Sequence, residues 1–158
     1  MASPLRAGGD DGVVEEWVSA VLRDARVARL GTADTGGAVR LVPICFALVD
    51  AWLVSAVDHK PKRTGQLRRL DDMRAAGQAT VLVDHYDDDW SRLWWVRVRG
   101  RAEVLDPTGD ANATATAGAA VEALTAKYEQ YRLHPPDGAV WRLALDEVRW
   151  WRASDLRA

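Results

Sequence analysis

A single cysteine, Cys45, excludes any internal disulfide. It stands between Ile44 and Phe46 in an apolar run with no basic neighbour in sequence to lower its pKa, so it reads as a buried, inert thiol. No apolar run approaches the roughly 20 residues that cross a bilayer. The opening MASPLRAGGDDG lacks the charged-then-apolar pattern of a secretory signal, which points to the cytoplasm and makes the sequon at Asn112-Ala113-Thr114 a chance match. Net charge is −2, too little basic surface for general nucleic-acid binding. There is one phenylalanine against eight tryptophans, three of them, Trp90, Trp94 and Trp95, crowded together. Flat amphipathic rings suit a flat ligand or a subunit interface.

What is present is an ordinary soluble composition, 48% hydrophobic and 28% charged. A chain of 158 residues fits one domain. At that size it buries about 70% of its unfolded surface. Residues 1–11 are expected to be disordered and 12–153 to form the single domain.

Along the chain, residues 13 to 22 carry apolar positions at spacings of three and four, with Glu15 and Glu16 near the positive end of the resulting helix. Residues 27–33 read as a strand and Asp34-Thr35-Gly36-Gly37 as a hairpin turn. Residues 38–49 read as one long strand in which Pro43, having no amide hydrogen, marks an edge or a bulge. Strands follow at 51–57, 77–86, 92–105 and 139–151, with a short helix over 64–70 and an alanine-rich one over 111–130. Hairpin-length links make the sheet mainly antiparallel, and six such strands with flanking helices close most economically into a small barrel.

The chemistry-bearing stretch is SAVDHKPKRT, residues 55 to 64, a basic turn between a strand and a helix start. Lys60, Lys62 and Arg63 precede the helix, where free amides and the dipole favour an anion. A phosphate site and a solvated basic face both satisfy that spacing; Arg68 and Arg69 fit the solvated face. Neither a P-loop nor a dinucleotide glycine pattern is present. No H-x-x-x-H or cysteine pair supports a metal, and no G-x-S-x-G elbow supports a hydrolase. A protein without nucleophile or metal still serves a redox cofactor by positioning it and excluding water.

ARVARLGT (25–32), RLVPICFAL (40–48), SAVDHKPKRT (55–64), VLVDHYDDDWSRLWWVRVRGRAEVL (81–105) and KYEQYR (127–132) together resemble the split-barrel flavin-binding superfamily of pyridoxamine-phosphate-oxidase type. More narrowly, they resemble its mycobacterial and actinobacterial branch that uses the deazaflavin coenzyme F-420. The resemblance implies a homodimer with the cofactor in a groove at the interface and a small-molecule substrate. It implies cofactor contacts from Arg40, Val42, Pro43 and Ile44 beside the ring system, Ser55 near the tail, and Lys60, Lys62, Arg63 and Thr64 on the phosphate. Trp95 stands where flavin-using relatives often have a glutamine, and Trp90, Ser91 and Trp94 would line the groove or the dimer seam. The implied activity is hydride transfer from reduced F-420 to a small organic substrate. An FMN-dependent enzyme of the same fold is the alternative, as is a non-catalytic carrier of deazaflavin, FMN or haem.

Overall fold

The structure is a computed structural model. It describes residues 14–57, 65–106 and 108–157, apart from the side chains of 65–67 and 157. Helix α1 (Glu16–Asp24) leads into β1 (Ala28–Ala33), β2 (Val39–Ile44), β3 (Ala47–Val49) and β4 (Trp52–Ala56). Helix α2 (Gly65–Ala76) follows, then β5 (Gln78–His85), a single helical turn at Trp90–Arg92, and the long β6 (Trp94–Leu105). The chain ends with α3 (Ala111–Lys127), α4 (Glu129–Leu133), β7 (Val140–Ala144), β8 (Glu147–Arg152) and a last turn at Ala153–Arg157.

All pairings are antiparallel, in the order β2-β1-β5-β6-β7-β4-β3, with β8 also on β6. This is the expected mainly β architecture with flanking helices, in an open sheet whose edge strands β2 and β3 are joined directly through Cys45 and Phe46. The described residues form eight strands rather than six, because two stretches read as continuous are each broken. The first break falls at Cys45–Phe46. There the Tyr128 hydroxyl accepts the Phe46 amide at 3.0 Å and lies 2.8 Å from the Phe46 carbonyl oxygen and 3.0 Å from that of Arg26. A side chain thus satisfies backbone groups that a ladder would otherwise need.

The second break is a bulge. Between Arg99↔Glu147 and Ala102↔Leu143, three steps along β6 face four on the opposing strand. Gly100 sits there with its missing Cβ only 2.1 Å from the Ala144 carbonyl oxygen, and the Asp146 carboxylate takes up the freed Arg101 amide at 2.9 Å.

The hairpin turn forms as expected. Asp34 accepts the amides of Gly36 and Ala38, and Gly37 adopts φ 86°. Pro43 lies on the edge strand, where its missing donor costs no ladder bond. Helix α2 runs six residues past the expected Leu70 because Leu70 and Met73 both reach the core. The alanine-rich helix ends at Lys127 and restarts as α4, since Tyr128 is extended where it binds Phe46. Two apolar clusters result. One packs α1 and α2 against the sheet and includes Leu22, Leu30, Phe46, Val81 and Trp141; the other lies beneath α3 and contains Ala120, Leu124 and Tyr131. Among the described residues no helix is long and apolar enough to cross a membrane.

Candidate functional site

Strand alternation on β2 divides its residues between two faces. Ile44 is buried and Val42 packs on the core, whereas Val39, Leu41 and Pro43 point outward. Val39 and Leu41 are 68% and 73% exposed, unusual for aliphatic side chains in a strand. Because among the described residues β2 has a ladder only to β1, its other row of backbone groups is open there, which fits backbone contacts to a ring system lying along that edge.

Arg40 is already engaged. Its Nε donates to Asp72 at 2.9 Å and its Nη2 to Asp34 at 3.2 Å, while Asp72, 5% exposed on α2, also accepts the Thr32 hydroxyl. The guanidinium thus ties α2 to the β1–β2 hairpin. Ser55 is buried at the end of β4 and donates to the Cys45 carbonyl at 2.7 Å, setting the β2–β3 corner beside the strand that leads into residues 58–64. Lys60, Lys62, Arg63 and Thr64 lie outside the described residues.

Ser91 closes a local turn, its amide and hydroxyl both donating to Asp89. Trp95 faces outward between Asp84 on β5 and Trp151 on β8, with the Arg97 guanidinium 5.8 Å from its ring centre. It lines an open aromatic groove of about 540 Å³ together with Leu82, His85, Tyr86, Trp94 and Trp151. Trp94 lines this groove and also packs on the core. His85 stacks on Trp94 at 6.0 Å and faces the Asp87 carboxylate at 3.6 Å.

Pro43 and Trp95 therefore lie on the same outer face but not together. Strands β2 and β6 are separated by β1 and β5, which at the usual ladder spacing is about 14 Å. A flat ring on one of these residues does not reach the other within a single chain.

A larger cavity of about 890 Å³, which the residue pattern alone did not reveal, opens where α3 ends. Arg26, Cys45, Lys127, Tyr131, Arg132 and His134 line it. Cys45 is half-buried in this wall, more accessible than expected. The Lys127 ammonium lies 4.0 Å from the centre of the Phe46 ring and has no hydrogen-bond partner among the described residues. Burial, assisted by the nearby Arg26 charge, lowers its pKa to about 8. Burial likewise pushes the Tyr128 phenol up to about 12. Arg26 and Arg132 donate to the carbonyls of Lys127 and Ala126, so cations gather at the negative end of α3. In the sequence the region coincides with KYEQYR (127–132), one of the strings that carry the family resemblance, and no site is read from it. Among the described residues no group of acidic, histidine and cysteine side chains is arranged to hold a metal.

The family model for pyridoxamine 5′-phosphate oxidase matches residues 14–152. The chain belongs to the pyridoxamine 5′-phosphate oxidase family. Solved structures repeat the architecture. A conserved hypothetical protein from Mycobacterium tuberculosis aligns at 15% identity with a TM-score of 0.70, covering 99% of this chain and 94% of that one. A FAD-binding protein from Mesorhizobium loti aligns at 22% identity with a TM-score of 0.63, covering 87% and 94%. HutZ, the haem storage protein of Vibrio cholerae, aligns at 9% identity with a TM-score of 0.65, covering 87% and 93%. At these identities the likeness shows the fold, which in this family's structural neighbours carries flavin-binding and haem-storage proteins alike. No curated protein is significantly similar to the chain.

Proposed function

We propose that this pyridoxamine 5′-phosphate oxidase family member is a cytoplasmic, homodimeric oxidoreductase that uses the deazaflavin coenzyme F-420 to reduce a small organic substrate. The observation that carries the reading is the separation of Pro43 from Trp95. Each lies on an exposed face that looks half built, and a two-fold copy would bring the β2 edge of one chain against the aromatic groove of the other.

In that arrangement the open backbone row of β2 would hold the ring, with Val42 and Ile44 fixing the strand from the core side. The basic turn at Lys60, Lys62, Arg63 and Thr64 would hold the phosphate, charge-assisted hydrogen bonds contributing about 1.5 to 3 kcal/mol each. Arg40 would act from behind, holding α2 in place through Asp72. Trp95 offers a stacking surface and no hydrogen-bond acceptor where flavin-using relatives often have a glutamine, which favours the deazaflavin over FMN. Once bound, the reduced deazaflavin supplies a hydride from its C5. The cavity beside Cys45 would receive the acceptor, and Arg26, Lys127 and Arg132 in its wall favour one bearing negative charge.

Titration of the apo-protein with F-420, FMN and haemin, followed by tryptophan quenching, tests this directly. Tightest binding of F-420, weakened severely when Lys60 and Lys62 are both changed to alanine, is the expected result. Preference for FMN would make the protein an FMN-dependent enzyme, and preference for haemin a carrier.

A further inference from the structure

A line of rings leads away from the aromatic groove. Trp94 lines the groove, and the Trp17 ring meets it edge to face with centroids 6.3 Å apart. Beyond Trp17 stands Glu15, whose carboxylate accepts the Trp17 indole N–H at 2.8 Å through one oxygen and the Trp150 indole N–H at 3.0 Å through the other. The Arg152 guanidinium lies over the Trp17 ring at 4.9 Å. Packing alone explains two indoles in contact. The additional features are a carboxylate on the N–H of the second ring and a cation on its face.

Those two features have a shared chemical consequence. An indole that loses one electron becomes a far stronger N–H acid than the neutral ring, comparable to a carboxylic acid, and the proton then needs an acceptor. Glu15 is in hydrogen-bond contact with that proton. The Arg152 charge raises the energy of a cationic ring and so favours its deprotonation.

We propose that Trp94, Trp17 and Glu15 form a one-electron relay that carries an oxidising equivalent from the groove to the protein surface. A one-electron oxidant in the groove, such as a photoexcited flavin-type ring, takes an electron from Trp94. Trp94 recovers it from Trp17, and the Trp17 Nε1 proton passes to Glu15. The oxidant has gained one electron, Trp17 is a neutral radical and Glu15 a carboxylic acid. A soluble thiol then returns a hydrogen atom to Trp17, its S–H bond breaking to leave a thiyl radical that carries the oxidising equivalent away, and Glu15 releases its proton to water. The biological purpose rests on the reading that a redox-active ring occupies the groove; the relay itself does not.

The test uses the cofactor-free full chain, so failure of the relay and failure of the cofactor reading are separable. A ruthenium polypyridyl complex is tethered at Tyr86→Cys, on the groove rim, in a Cys45→Ser, Trp90→Phe background that removes the other thiol and the most exposed indole. Flash-quench generates ruthenium(III), and transient absorption follows the indole radical. The expected result is a neutral tryptophan radical. Glu15→Gln should yield the cationic radical instead, and Trp17→Phe should slow the loss of ruthenium(III) severalfold. Far-ultraviolet circular dichroism checks that both variants keep the fold. A neutral radical forming at unchanged rate in both folded variants would overturn the relay. So would a parent protein in which no tryptophan radical forms.

Discussion

The Nε of Arg40 on β2 donates to the Asp72 carboxylate on α2 at 2.9 Å, and Asp72 is almost wholly buried while Arg40 is partly open to solvent. The pair ties the helix that follows the basic turn to the edge strand. Replacing Asp72 with alanine removes the buried acceptor for both Arg40 and the Thr32 hydroxyl. Hydrogen bonds to charged groups contribute about 1.5 to 3 kcal/mol, so urea unfolding should show a loss of about 2 kcal/mol. F-420 affinity should fall as well, although Asp72 would touch no part of the cofactor. Unchanged affinity in the folded variant would make the pair a purely structural tie.

Much of this architecture is legible in the residues, and the parts that are not have a common cause. Val96 and Val98 alternate with Arg97, Arg99 and Arg101 along β6, and that period alone specifies a strand with one buried face. The breaks at Cys45–Phe46 and Leu145–Asp146 carry no such signal. They depend on a tyrosine hydroxyl 82 residues away and on the Asp146 carboxylate reaching from the break itself to the Arg101 amide on β6. Asp72 falls past the helix expected over 64–70 and proves to be a buried helix acid. Trp95 stood out in the sequence because three tryptophans crowd together there. Lys127 did not, because a lysine in the last turn of a helix is the expected dipole partner and nothing local shows that Phe46 will cover it.

Gly100 and Gly118 should respond to alanine in opposite directions. A Cβ at Gly100 would fall on the Ala144 carbonyl oxygen, a backbone atom at the bulge where the strand opposing β6 changes register. Relieving such a clash costs about 1 to 3 kcal/mol. At Gly118, inside α3, a Cβ meets nothing within 4 Å. The gain in helix propensity there is about 0.5 to 1 kcal/mol. Paired urea titrations measure both, and a stable Gly100→Ala protein would show that the bulge yields.

Lys127 gives stability a pH dependence of predictable sign. Its pKa falls from 10.5 to about 8 on folding, chiefly because burial penalises the charged amine. Between those values the unfolded chain holds the proton and the folded one has lost it, so stability must rise with pH across that window. Below about 8 both states are protonated and the contribution is flat. Lys127→Met removes the titration, so wild-type stability measured relative to the variant should climb as pH passes 8. Tyr128, whose phenol is held protonated to about 12, is common to both proteins and cancels. A flat difference curve would mean that the amine is hydrated in solution.

The exposed aliphatics of β2 make the proposed dimer testable by a single substitution. Leu41 is 73% exposed and lies across β1 and β5 from Arg99, on the same outer face as Leu82, Trp95 and Trp151. A surface change of this kind alters monomer stability by no more than about 0.5 kcal/mol. A charge buried without a partner at an interface is far more costly. Leu41→Glu should therefore sediment as a folded monomer where the wild type is expected to sediment as a dimer, and it should lose F-420 binding together with dimerisation. A variant that stays dimeric would place the subunit contact on another face. A variant that is monomeric yet binds the cofactor with full affinity would show that one chain builds the whole site, and the separation of Pro43 from Trp95 would then need a single-chain explanation.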